Sequence, residues 1–160
     1  MKDNPLISVV IPAFNRQDTI SYCLDSVLAQ TYKNLEIIVV DDCSTDDSPR
    51  IIRRYAESPK VALIRHQTNQ GKGAAIRTGL ARAGGEFTII QDADLEYEPT
   101  DMLSMLDLAR ARQADAVFGS RILHPEAGIS YRRYYWGGRL LTVLANLLYG
   151  VGITDGVVRL

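Results

Sequence analysis

Several residue types are scarce in this 160-residue chain: two cysteines, two histidines, one tryptophan and three phenylalanines. Cys23 and Cys43 have no metal-ligand spacing and no histidine nearby, which points to a reduced, cytosolic chain rather than a metal or disulfide scaffold. His66 and His124 likewise lack ligand spacing and read as ordinary residues. No apolar run reaches the roughly 18–20 residues a spanning helix needs. The polar start at residues 1–6 lacks the apolar core of a signal peptide. Charge of one sign does not dominate either: the formal net charge is −1, whereas a dedicated nucleic-acid binder is usually basic. The G-x-x-x-x-G-K-[ST] pattern is missing, which argues against a P-loop NTPase. Internal repeats and low-complexity linkers are also missing.

What is present fits one soluble domain over 1–160, with 46% hydrophobic residues and enough length to bury a core. A β-branched run at 6–11, ended by Pro12, predicts the first strand. Ile20, Cys23, Leu24, Val27 and Leu28 follow at helical spacing from Asp18 onward. Residues 35–40 predict the second strand. Ser48 as cap and Pro49 in the first turn predict a helix whose apolar face is Ile51, Ile52, Tyr55 and Ala56. Residues 61–64 predict a short strand. Gly71-Lys72-Gly73 opens a helix to about residue 83, closed by Gly84-Gly85. A buried strand at 87–90, a helix at 99–112 and a strand at 116–119 complete the pattern. The alternation implies an α/β fold: a mostly parallel, Rossmann-like sheet with helices on both faces. Such sheets bind ligands outside the carboxyl ends of their strands.

Those ends carry the chemistry. Asp92 and Asp94, one residue apart in Gln91-Asp92-Ala93-Asp94, follow the run at 87–90. Two such carboxylates converge on a hard cation, Mg²⁺ or Mn²⁺, whose remaining positions are often filled by substrate phosphates. Asp41-Asp42 ends the second strand in the same way. Residues 92–107 hold six acids and no Lys or Arg, while residues 119–160 hold five Arg against two acids. An acidic metal pocket beside a basic face suits a polyanionic substrate. Lys72 beside Gly71 and Gly73 reads two ways: a phosphate contact at a helix start, or an exposed charge beside a tight turn. Tyr131-Arg132-Arg133-Tyr134-Tyr135-Trp136 precedes an apolar helix at 140–149, a composition that favours a membrane interface but also suits a helix packed on the sheet.

Five motifs in order carry a resemblance: S-V-V-I-P-A-F-N at 8–15, E-I-I-V-V-D-D-C-S-T-D at 36–46, N-Q-G-K-G-A-A-I-R-T-G at 69–79, Q-D-A-D-L-E at 91–96 and F-G-S-R at 118–121. Together they resemble the family 2 glycosyltransferases of GT-A fold, and within them the dolichol-phosphate mannose synthase-like branch. The resemblance implies that Pro12, Ala13 and Phe14 line the base and ribose, with Phe14 where most members have Tyr. It implies that Asp42 accepts a hydrogen bond from the base, and that Asp41 supports the same loop. Lys72 and Ala93 join this nucleotide set. Asp92 and Asp94 would hold the cation on the diphosphate, and Arg121 would contact phosphate, so Asp94 and Arg121 are the catalytic candidates. Glu96 stands where the mannose synthases more often carry Gln.

The implied reaction is metal-dependent, inverting transfer of a hexose from a nucleoside diphosphate sugar, of the GDP-mannose or UDP-glucose type. The implied acceptor is a polyprenyl phosphate, dolichyl or undecaprenyl, at the cytoplasmic membrane face, with Arg132 or Arg133 on its phosphate. Such an acceptor is already an anion, so no general base is assigned. Relatives continue past the Thr154-Asp155 motif with further elements, so the chain is expected to be short at its C-terminus, with an interfacial segment at 131–151. The alternatives are a nucleotide-sugar-binding domain without turnover and a transferase with a saccharide acceptor. A sugar-phosphate nucleotidyltransferase is disfavoured, because Pro12-Ala13-Phe14-Asn15 stands where its Gly-rich loop would be.

Overall fold

The computed structural model describes residues 4–94, 101–117 and 132–150. The elements in chain order are β1 (Ile7–Ala13), α1 (Ile20–Leu28), β2 (Leu35–Asp41), α2 (Ser48–Tyr55), β3 (Val61–Arg65), α3 (Lys72–Arg82), β4 (Phe87–Ile90), α4 (Asp101–Arg112) and α5 (Arg132–Tyr149). Two compact units are present, Met1–Leu106 and Asp107–Leu160.

In the first unit the four strands form one parallel sheet in the order β3-β2-β1-β4. From β1 the chain winds outward through β2 to β3, then returns to place β4 on the far side of β1. Right-handed crossovers require the connecting helix to change faces when the direction reverses. The packing follows that rule. Ile20, Cys23, Leu24 and Val27 of α1 and Ile52 of α2 join Ile7, Val9, Ile11, Ile37 and Val39 in one core. Ala75 of α3 joins Ile38 and Val40 in a second core on the opposite face. Sheet alternation sorts the two sets, since successive side chains point to opposite faces. All seven residues of β1 are buried, as expected for a strand covered on both faces. Each fully buried Ile, Leu or Val contributes about 1.5–3 kcal/mol relative to exposure.

Gly79 sets the spacing of α3 over the sheet. A Cβ built there would lie 2.3 Å from Val10 Cγ1, so only glycine lets the helix rest on β1 at this depth. Immediately before α3, Gly71 has φ +84°, a left-handed conformation natural for glycine.

Three local expectations are corrected. β1 does not stop at Pro12 but runs through it, with Pro12 paired to Val40. The Asp42 N–H bonds the Ala13 carbonyl and the Gln91 N–H bonds the Val10 carbonyl, so even-numbered residues of β1 face β4. Pro12 would need its N–H only on that side. The β4 ladder ends at the Val10–Ile90 pair, before Pro12 would have to donate. Ser48 is the first residue of α2 rather than its cap, which is Asp47. Strand β4 is half-buried rather than buried, with Thr88 exposed, because among the described residues β1 is its one partner.

The expected strand at 116–119 is not found in its described part: Ala116 and Val117 are in no regular element, and 118–119 lie outside the described residues. In the second unit, α5 begins at Arg132, so the aromatic stretch belongs to the helix that contains the leucines. Leu140, Leu141, Leu144, Leu147 and Leu148 are exposed at i, i+1, i+4, i+7 and i+8, while Thr142 is buried. Among the described residues no helix is long and apolar enough to cross a membrane.

Candidate active site at the carboxyl edge of the sheet

The loops after β1 and β2 are zipped together by backbone donors meeting side chains. The Asn15 N–H bonds Ser44 Oγ at 2.9 Å, and the Thr45 N–H bonds Asn15 Oδ1 at 2.9 Å. The Arg16 N–H bonds Ser48 Oγ at 2.8 Å, which explains why Ser48 sits inside α2 instead of capping it. Asp46 takes the N–H groups of Gln17 and Ser48. Burial pushes the Asp46 carboxyl up, but these bonds outweigh it and hold the group below its ordinary range. Asn15 and Cys43 both adopt positive φ, 51° and 64°. Asn tolerates that region; a cysteine there stores backbone strain, a feature that clusters at functional sites.

Asp41 and Asp42 have different surroundings. Asp41 is fully buried. Its Oδ1 takes the Ser44 N–H at 3.2 Å, and Arg65 Nε lies 2.9 Å from Oδ2 as an ion pair without an aligned hydrogen bond. Arg65 also donates to the Ser44 carbonyl at 3.0 Å. Asp41 therefore clamps the loop 41–44.

Asp42 faces the loop after β3. His66 Nδ1 lies 2.7 Å from its Oδ1, the Gln70 N–H bonds Oδ1 at 2.9 Å, and the Gly71 N–H bonds Oδ2 at 2.7 Å. The far side of the imidazole, Nε2, lies 2.9 Å from Thr78 Oγ1. Burial raises the Asp42 pKa, but the bonds from Gln70, His66 and Gly71 prevail and hold the carboxyl below its ordinary value. Sequence reasoning missed His66, Arg65 and Thr78. The one available signal was position: Arg65 and His66 stand at the carboxyl end of β3, where ligands gather.

At the end of β4, Asp92 is 6% exposed. Its Oδ2 accepts a bond from Lys72 Nζ at 2.6 Å, an ion pair whose Lys72 side chain is 57% exposed. Start-of-α1 groups hold the backbone here: the Thr19 hydroxyl bonds the Ala93 carbonyl, and the Cys23 thiol lies 3.7 Å from the Asp92 carbonyl. Burial, then the nearby Asp94 and Asp92 carboxylates, push the Cys23 thiol up to about 12, so it stays a protonated donor in the core. Asp94 is half-buried.

Of the nucleotide candidates, Pro12, Ala13 and Ala93 are buried, with Ala13 and Ala93 in the core, so they offer backbone to the edge. Phe14 is 44% exposed there. Arg121, Glu96 and His124 lie outside the described residues, as do the side chains of Arg132 and Arg133. A concavity of about 510 Å³ lined by Ser21, Ile51, Arg54, Tyr55 and Glu57 lies along α1 and α2 and contains no strand-end residue.

The donor set at Asp92 and Asp94 fits a hard divalent cation. It is all oxygen, and among the described residues no group of three or more His, Cys, Asp and Glu forms a closed protein cage. Mg²⁺ and Mn²⁺ suit such a half-built site, with water and phosphate completing the shell.

The glycosyl transferase family 2 model matches residues 8–157. The chain belongs to that family. An uncharacterized glycosyltransferase of Escherichia coli, YibD, is 38% identical over 110 residues, covering 68% of this chain and 32% of that protein. Staphylococcus aureus TarS 1–349, in complex with UDP-GlcNAc, superposes with a TM-score of 0.62 at 28% identity, over 68% of this chain and 32% of that one. A Pyrobaculum calidifontis mannosyltransferase, PcManGT, in complex with GDP-Man and Mn²⁺, gives 0.59 at 34% identity, over 72% and 34%. This family 2 chain thus spans about a third of the length of each of these relatives. The GT-A fold expected of it is the fold observed.

Proposed function

We propose that the carboxyl edge binds a nucleoside diphosphate sugar and a divalent cation, and that the chain transfers the hexose with inversion to a polyprenyl phosphate. The observation that carries the donor half is the placement of Asp42 and of the pair Asp92 and Asp94 on opposite sides of the end of β1. That is where the winding direction of the sheet reverses, the place such folds use for ligands. The complexes of TarS with UDP-GlcNAc and of PcManGT with GDP-Man and Mn²⁺ support the same donor class.

In this reading Phe14 offers a ring face to the base and Asp42 a hydrogen-bond acceptor. Asp92 and Asp94 hold the cation, which when bound neutralises charge on the diphosphate. Lys72, already 2.6 Å from Asp92, adds a second cation at the start of α3, where backbone N–H groups also favour phosphate. Arg121 provides a planar fork for a departing phosphate. A phosphate acceptor is itself an anion and needs no deprotonation. The exposed leucines of α5, with Arg132 and Arg133 at its start and Arg139 just before the leucines, support an acceptor site at the inner membrane face.

Incubation with GDP-mannose or UDP-glucose, Mn²⁺ and a short-chain polyprenyl phosphate tests both halves. Glycolipid is the expected product. Transfer to a saccharide alone would replace the acceptor assignment, and binding without product would reduce the chain to a nucleotide-sugar module.

A further inference from the structure

We propose that His66 is a positioning residue that orients Asp42 to select a nucleobase bearing a ring N–H, with Thr78 fixing the tautomer of His66. The inference rests on the nucleotide-sugar function proposed above. A carboxylate has about four acceptor positions, two on each oxygen. Here Oδ1 receives His66 Nδ1 and the Gln70 N–H, and Oδ2 receives the Gly71 N–H. One position on Oδ2 is left. The carboxyl-to-Cβ torsion is broad when unrestrained. Two backbone donors come from a loop whose Gly71 has positive φ, and the imidazole supplies the third direction. Together they set the plane of the carboxylate.

The imidazole is itself held at both ends. Its side chain is 8% exposed and bridges the end of β3 to α3. Because the Asp42 carboxyl is held in its ionised form, Nδ1 must carry a proton to face it at 2.7 Å. With that proton on Nδ1, a neutral imidazole leaves Nε2 to accept from the Thr78 hydroxyl, 2.9 Å away. An ionised carboxylate accepts and never donates. Its one remaining position therefore pairs with the ring N–H of uracil or guanine, whereas cytosine and adenine present a bare ring nitrogen at the corresponding place.

Two substitutions of similar polarity separate positioning from mere support. In His66→Asn the amide nitrogen replaces Nδ1 and keeps the donor to Asp42. In His66→Gln it replaces Nε2 and keeps the link to Thr78 instead. Calorimetry with UDP, GDP, CDP and inorganic pyrophosphate in Mn²⁺ is the measurement, with thermal melts to show that each variant is folded. The wild type is expected to bind UDP or GDP at least about tenfold tighter than CDP, in line with a charge-assisted bond of 1.4 kcal/mol or more. That ratio should persist in His66→Asn and collapse in His66→Gln, with pyrophosphate affinity unchanged in both. In the free wild-type protein, ¹⁵N spectra should place a proton on His66 Nδ1. A ratio that survives in His66→Gln, equal binding of UDP, GDP and CDP by the wild type, or a proton on Nε2 alone would each overturn the inference while leaving the donor reading standing. Wild-type protein that binds none of the three nucleotides would overturn the donor reading itself, and this inference with it.

Discussion

The two sides of the β1 edge are built differently. At the end of β2, Asp41 and Asp42 are almost wholly buried: Asp41 holds the Ser44 N–H and the Arg65 guanidinium, and Asp42, the satisfied member of the pair, takes three donors from the segment between β3 and α3. At the end of β4 the strand is half-buried, Asp94 is half-buried, and Asp92 is ion-paired to a lysine that is mostly in water. A buried, satisfied network resists rearrangement because any movement leaves polar groups unpaired. A solvent-exposed lysine gives way at little cost, since such pairs contribute only about 0–1 kcal/mol. The rigid side suits recognition of a fixed shape such as a base. The adaptable side suits a diphosphate and cation that arrive together and leave separately.

That contrast can be broken from the rigid side first. Asp42→Ala should cost about 2–3 kcal/mol, because two backbone N–H groups and a nearly buried imidazole lose a charged acceptor. Chemical denaturation would show a lower midpoint, and nucleotide affinity should fall with it. Gly79→Ala comes next at roughly 2 kcal/mol, since the added methyl meets Val10 at 2.3 Å and must push α3 outward. Helix α3 carries both Lys72 and Thr78, so this one change should loosen both sides of the site. Loss of stability without loss of nucleotide binding would show that the helix position matters less than the loops.

On the adaptable side, Asp94→Ala should leave stability within about 0.5 kcal/mol yet weaken Mn²⁺-dependent UDP or GDP binding by about tenfold or more. Unchanged affinity would remove the cation assignment. Acid should act on the rigid side: Asp42 and Asp46 both have lowered pKa values against an ordinary 3.8. Stability from a lowered carboxyl is fully present above the unfolded-state value and is lost as pH falls through the folded one. Melting temperature should therefore be insensitive to these two groups near neutrality and drop below about pH 4, less steeply in Asp46→Asn. The smallest effect belongs to Cys43, whose φ of 64° is costly for a side chain. Cys43→Gly should stabilise by about 0.5 kcal/mol, and Cys43→Val should destabilise by more than about 1 kcal/mol.

Most elements were legible in the chain because they depend on near neighbours. Apolar spacing in α1 and the β-branched runs of β1 and β2 appear where periodicity places them, within one or two residues. The alternation of strands and helices was enough for a parallel sheet. Pro12 misled, because local propensity says that proline ends a strand. Its effect depends on which neighbour its missing N–H faces, and pairing decides that.

The site divides along the same line. Asp92 and Asp94 stand one residue apart at the end of a strand, so their shared edge follows from the sequence alone. The partners of Asp42 are 24 to 29 residues away, and Lys72 is 20 residues from Asp92. Beyond its place at the end of a strand, nothing in a linear reading distinguishes His66 from an exposed histidine. What buries it against Asp42 is the sheet order, which sets β3 beside β2, and the handedness of the crossover, which lays α3 across the opposite face. Sequence by itself determined the elements, the family and the acidic edge, because covalent proximity suffices for each. Tertiary structure decided which carboxylate is clamped, which stays adaptable and which histidine matters, because hydrogen bonds act over about 3 Å and only folding brings distant segments that close.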